Sequence, residues 1–251
     1  ANATLGAIAI ESYLAINGMN ISGVAPIKGV DDENAVRRTG IVDLDSCNTC
    51  HERIGFHSNA GRMANVDYCQ TCHNPEVSSS NLFEGLATFA LAGNEEFYYK
   101  QTSNNFKDMV HSIHAAPFRE EQNPSDPYNF IRGNPAGGSG NGPQVFQDVP
   151  YPLQVTDCEA CHVAGTQYLP EGAAAVGLGW SVYDAAPGLG TATTFNPLVT
   201  IRKGPATAAC ATCHSSPEAA AHMQANTSAT ARAESCSVCH GEGSAYEAHG
   251  E

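Results

Sequence analysis

Basic residues are scarce in this chain. Lys and Arg together number 12 against 26 Asp and Glu, for a formal charge of -14 at pH 7. Nothing resembles a basic stripe, which excludes nucleic-acid binding as a leading class. A basic partner or an oxidised metal species suits that charge instead. No apolar run approaches the roughly 18–20 residues of a membrane span. No signal-peptide pattern opens the chain, so Ala1 is read as a mature or trimmed terminus. Trp180 is the single tryptophan, and large aliphatic and aromatic residues are thinly spread. Much of the 42% hydrophobic content is alanine, so a core built from side chains alone would be weak. Gly (24) and Pro (14) are plentiful, as suits loops draped over something other than protein.

Cysteine is absent outside one motif. Cys47-Asn-Thr-Cys50-His51 recurs as Cys69-Gln-Thr-Cys72-His73, Cys158-Glu-Ala-Cys161-His162, Cys210-Ala-Thr-Cys213-His214 and Cys236-Ser-Val-Cys239-His240. Two thiols at this spacing can form thioethers with the two vinyl groups of one haem, and the next residue offers an imidazole to the iron. C-x-x-C-H is therefore the covalent c-type haem attachment signal. Zinc, disulfides and thioredoxin-like chemistry compete for a single copy. Zinc has no need of His at the fifth position every time, and a disulfide framework has no need of the fixed spacing. Five copies that use all ten cysteines point to five covalently bound haem c groups. No cysteine is then spare for a lipid anchor.

There are ten histidines. Five close the motifs: His51, His73, His162, His214 and His240. The others are His57, His111, His114, His222 and His249. Five irons with two axial imidazoles each require that number, so the second set is read as the distal ligands. Met63, Met109 and Met223 are read as packing residues. A porphyrin-based core implies an apoprotein that is largely unfolded.

Residues 1–30 carry no haem motif. Ala7–Ile10 and Ser12–Ile16 read as β-strand, Asn17-Gly18 as a turn, and Ile21–Ile27 as a further short strand. Asp31-Asp32-Glu33-Asn34 reads as a solvated turn, with a calcium site as the competing reading. Residues 41–76 hold two closely spaced motifs with His57 between them. Residues 81–100 read as helical and then irregular. A helix is expected from a Ser103 cap to about Ala116, with Phe106, Met109, Val110 and Ile113 on its apolar side. His111 and His114 lie roughly 60° apart on it, given about 100° of turn per residue. One helix face cannot reach both sides of a porphyrin, so the two are expected to serve different haems. Residues 117–156, with Gly137–Gly142, read as surface loop, and so do 163–205. Ser216-Pro217-Glu218 opens a helix carrying His222. His249 lies close to the end of the chain.

The order of these parts resembles the pentahaem half of the outer-membrane decahaem cytochromes of metal-reducing bacteria, the OmcA/MtrC family. The matching residues are Arg37-Arg38, Cys47–His51, Phe56-His57 and Cys69–His73 with Asn74-Pro75. Phe106–His114, Cys158–His162 and His222-Met223 follow, and then Cys236–Gly241 with Glu247–Gly250. The resemblance covers about residues 36–250. It implies a multihaem cytochrome c, mostly loops and short α-helices around five haems, with a short β segment at the N-terminus. Residues 1–40 then look like the end of a split β-barrel, and 41–251 like the pentahaem domain. The chain would be either a fragment or a single-module relative. It also implies electron passage to extracellular acceptors such as metal oxides, flavins and other cytochromes. The location would be extracellular or at the outer-membrane surface, after export through the periplasm.

Two bis-histidine alternatives share this chemistry: a monomeric relay, and a polymeric cytochrome filament whose chains abut by strand addition. The partners are accordingly other multihaem cytochromes or copies of itself. A pentahaem nitrite reductase typically keeps one iron open and marks it with Lys in place of the motif His. All five motifs here end in His, so an electron-transfer protein is expected rather than an enzyme.

Overall fold

The computed structural model describes residues 5–9, 13–16, 19–22, 27–31, 40–52, 54, 66, 69–70, 73, 105–124, 128–132, 142–146, 148, 150–169, 179–182, 200–228 and 233–249. His57, Cys72, most of Asp31–Asn34, and the helix expected over 81–100 lie outside them. The chain divides into two units. The first holds Ala1–His73, Thr156–Val176 and Cys239–Glu251; the second holds Asn74–Val155 and Gly177–Val238.

In the first unit, β1 (Leu5–Ala9) pairs antiparallel with β4 (Ile27–Asp31), and β2 (Tyr13–Ile16) with β3 (Met19–Ser22). Ile16 faces Met19 in the register, which leaves Asn17-Gly18 as a two-residue connection of the favoured hairpin type. Helix α1 (Leu44–His51) starts where the Asp43 carboxylate accepts from the Asp45 amide at 3.0 Å. It stops at Glu52, whose φ of 53° leaves the helical region. Beyond the stop, Asn48 Oδ1 accepts the Ile54 amide at 2.8 Å. Just ahead of α1, Val42 forms a β-bridge with His162. Around it the Asp43 amide donates to Cys161 O at 3.0 Å and the Val163 amide to Ile41 O at 2.9 Å. The Thr166 hydroxyl adds a bond to Ile41 O at 2.7 Å.

In the second unit, α2 (Phe106–His114) is followed at once by α3 (Ala116–Gln122). The helix does not start at Ser103; Asn105 occupies the cap. Nor is Pro117 the start of a loop. It sits in the first turn of α3, where its missing N–H has no intrahelical partner to lose. The segment expected as loop also contains β5 (Asn129–Arg132) paired with β6 (Gly142–Val145). Within 163–205, likewise expected as loop, β7 (Gly179–Val182) pairs with β8 (Thr200–Lys203). Helix α4 (Thr207–Cys210) follows, then α5 (Pro217–Ala225), whose cap Ser216 accepts from the Ala219 amide. Strands β9 (Thr227–Ser228) and β10 (Ala233–Glu234) form a short hairpin leading to α6 (Ser237–His240).

Helix α2 packs on α4, and its buried residues are Asp108 and Ser112. Phe106, Met109, Val110 and Ile113 are half-buried, so the apolar side is less covered than these two polar positions. Asp108 instead pairs with Lys203 of β8 at 3.1 Å, with side chains 5% and 11% exposed. The Ser112 hydroxyl also donates to Asp108, at 3.5 Å. Breaking a pair buried this deeply strands one charge, a loss of about 3–5 kcal/mol. Lys203→Met is therefore expected to lower the denaturation midpoint of the haem-loaded protein clearly. Lys203→Met with Asp108→Leu should recover most of the loss, read by denaturant titration of the visible spectrum.

Candidate functional site

The described residues of the motifs lie in short turns. The first lies within α1 and the fifth ends in α6. In the others the motif His amide donates to the carbonyl of the first motif cysteine. The distances are 2.8 Å for His73 to Cys69, 2.9 Å for His162 to Cys158 and 2.9 Å for His214 to Cys210. One turn places positions i, i+3 and i+4 on a single face, so two sulfurs and the following imidazole start from one side. That is the donor arrangement which two thioethers and a proximal ligand on one porphyrin require, and the residues fit haem c. Cys50 and Cys239 are exposed, and the other described cysteines are half-buried. Among the described residues no three His, Cys, Asp or Glu side chains cluster as a metal-ion site.

The first and third motifs adjoin through the Val42–His162 bridge. Cys47 Sγ donates to Asp43 O at 3.4 Å. The neighbouring Cys161 raises the Cys47 thiol above its usual range, with burial adding to it, and Cys47 in turn lowers Cys161. Cys210 is pushed up to about 11, chiefly by burial and then by Cys236 and Glu234. Around Tyr168 the carboxylates Glu247, Glu242 and Glu159 raise the phenol, with Glu247 leading. Acidic residues of the third and fifth motif segments thus lie near one point.

Two imidazoles have their tautomer set by the backbone. His114 Nδ1 lies 2.8 Å from Val110 O, and His240 Nδ1 lies 2.7 Å from Tyr246 O. A carbonyl oxygen only accepts, so Nδ1 carries the proton in each case and Nε2 keeps the lone pair. The edge of Tyr151 also meets the His114 ring, with centroids 5.5 Å apart. His111 and His114 both lie on α2, and His222 lies on α5 with its side exposed. The segment after the fifth motif folds back on it. Ser244 Oγ donates to Cys239 O at 2.6 Å and the Ala248 amide to His240 O at 3.3 Å. That return places the backbone of His249 beside His240.

The supporting residues Asp43, Asp108, Lys203 and Glu234 were not apparent from the sequence. Only Asp43 carried a local signal, an N-cap residue just ahead of a cysteine-bearing helix. The others act across the fold and leave no trace in spacing.

The family model described as outer membrane cytochrome MtrC/MtrF-like, domains II/IV, matches residues 39–250. No curated protein and no solved structure matches the chain.

Proposed function

Because the chain belongs to the MtrC/MtrF-like outer membrane cytochrome family, we propose that it relays electrons through five bis-histidine haems to acceptors outside the cell. Its family places it among haem-bearing electron-transfer cytochromes of the outer membrane or cell exterior. No described helix is long and apolar enough to cross a membrane. The observation that supports the finer reading is the turn in the second, third and fourth motifs, in which the His amide bonds the first cysteine carbonyl.

On this reading Cys47 and Cys50, Cys69 and Cys72, Cys158 and Cys161, Cys210 and Cys213, and Cys236 and Cys239 each hold one haem. Bound haem supplies a one-electron iron couple, and two nitrogen ligands favour a lower potential than His/Met. His51, His73, His162, His214 and His240 are the proximal ligands. His57, His111, His114, His222 and His249 are the distal ones. Val110 and Tyr246 hold His114 and His240 in the tautomer that offers Nε2. His249 serves an iron other than that of His240, since two imidazoles rooted side by side cannot reach opposite porphyrin faces. The acidic residues around Tyr168 favour the more positive, ferric state nearby. Residues 1–40 supply a β segment and 41–251 the haem-bearing part.

The intact mass should exceed the peptide mass by five haem units, and the paramagnetic resonance spectrum should show low-spin iron alone. Four haems or fewer would overturn the count, and a sizeable high-spin signal would return the nitrite-reductase reading. The two-stranded ladders β1–β4 and β2–β3 also suit a filament built by strand addition. Electron microscopy that shows only single particles excludes that assembly.

A further inference from the structure

Glu234 belongs to no motif, yet its carboxylate joins two of them. Oε2 accepts the Ala206 amide at 2.7 Å, and Oε1 accepts the Thr207 amide at 2.9 Å and the Thr207 hydroxyl at 2.6 Å. These groups open α4, the helix that ends at Cys210. The first N–H groups of a helix have no partner within it, and an anion there is favoured twice, by hydrogen bonds and by the peptide dipoles. Here the anion comes from the strand that leads to the next haem site. Glu234 lies in β10, paired with Thr227, and two residues ahead of Cys236. Thr207 Oγ1 is also 3.3 Å from Thr227 Oγ1, so the α4 turn bears on both strands of the hairpin.

A second observation shows that the contact is built. Gly204 is buried, and a Cβ on it would fall on the Glu234 carboxyl group. Gly204 therefore provides the space in which the carboxylate sits. The charge also lies close to both attachment sites: Glu234 bonds the first residue of the helix that ends at Cys210 and stands two residues ahead of Cys236.

We propose that Glu234 is a positioning residue that locks the fourth haem-attachment turn to the fifth and keeps a fixed negative charge beside both. The inference rests on the five-haem reading above. Ferric haem carries one more positive charge than ferrous haem, so a nearby carboxylate favours the ferric state and lowers the potential. Two haems of the five should feel it.

Glu234→Gln keeps the shape, removes the charge and turns one acceptor into a donor that faces donors. Gly204→Ala keeps the charge and displaces the carboxylate. Both are made in the full haem-loaded protein, with haem number first checked by intact mass. Spectroelectrochemical titration of E234Q should show two potentials raised and three unchanged. G204A should alter the low-spin resonance of two haems and leave three unchanged. Five unchanged potentials in E234Q, or a uniform shift of all five, would overturn the proposal. If E234Q does not mature, G204A decides alone, and five unchanged resonances would overturn the proposal. Fewer than five haems in the unsubstituted protein would instead overturn the five-haem reading.

Discussion

Made without haem attachment, the chain will show no cooperative unfolding transition. The simplest form has all ten motif cysteines replaced by Ala, and the second is the unaltered chain expressed where haem is not attached. Buried hydrophobic residues among those described are Ala115, Ala116, Tyr128 and Ala208. No Leu, Ile, Val or Phe is among them, of those whose side chains are described. Ordering the backbone costs about 1–2 kcal/mol per residue, and a fully buried large aliphatic side chain returns about 1.5–3 kcal/mol. Alanine returns much less. Meanwhile Val163, Val238 and Leu153 stay exposed, and so does the apolar Tyr246 ring. Phe106, Met109, Val110 and Ile113 on α2 are only half-buried. Porphyrins are the apolar bodies that would complete these contacts. Near-ultraviolet circular dichroism and a thermal melt give the answer. A sharp melt with native-like signal in the cysteine-free chain would show that side chains suffice as a core.

The second large effect concerns α2. His111→Met should raise the potential of one haem, and His114→Met that of another. Both residues lie within the helix Phe106–His114, so their roughly 60° offset holds in the folded chain. The Asp108–Ser112 side is occupied by α4 and Lys203, which fixes the direction in which the helix presents the rest. A porphyrin is too broad for one helix face to reach both of its sides. As axial ligands, the two imidazoles would enter two haems, and α2 would set their separation. A thioether favours ferrous iron, and axial-ligand identity spans about 0.8 V among haem proteins, so each swap should move its haem by on the order of tenths of a volt. The His114 change should also free the Val110 carbonyl now bonded by Nδ1. If both substitutions move the same haem, or neither moves any, the clamp fails and the set of distal ligands with it.

What the sequence revealed was what is local. C-x-x-C-H is complete within one helical turn, so its chemistry is legible without a fold. The Ser216-Pro217 helix start and the Asn17-Gly18 connection are likewise written in adjacent residues. Pro117 misled because a proline that ends one helix can equally sit in the first turn of the next. The apolar stripe of α2 was visible, but the residues it buries fully are the polar Asp108 and Ser112, since Asp108 finds Lys203 far along the chain. Glu234 gave no signal because its partners Ala206 and Thr207 reach it through a hairpin whose register no spacing encodes.

The bridge at Val42 and His162 bears on how the protein is made. Ile41 and Thr166, bonded beside it, are 125 residues apart in sequence. Closing a flexible loop of that length costs about 4 kcal/mol in chain entropy. The turn that carries the first motif needs no such closure, since α1 is held by bonds between neighbouring residues. The bridge is thus a late joint, tying together segments whose own turns can form first.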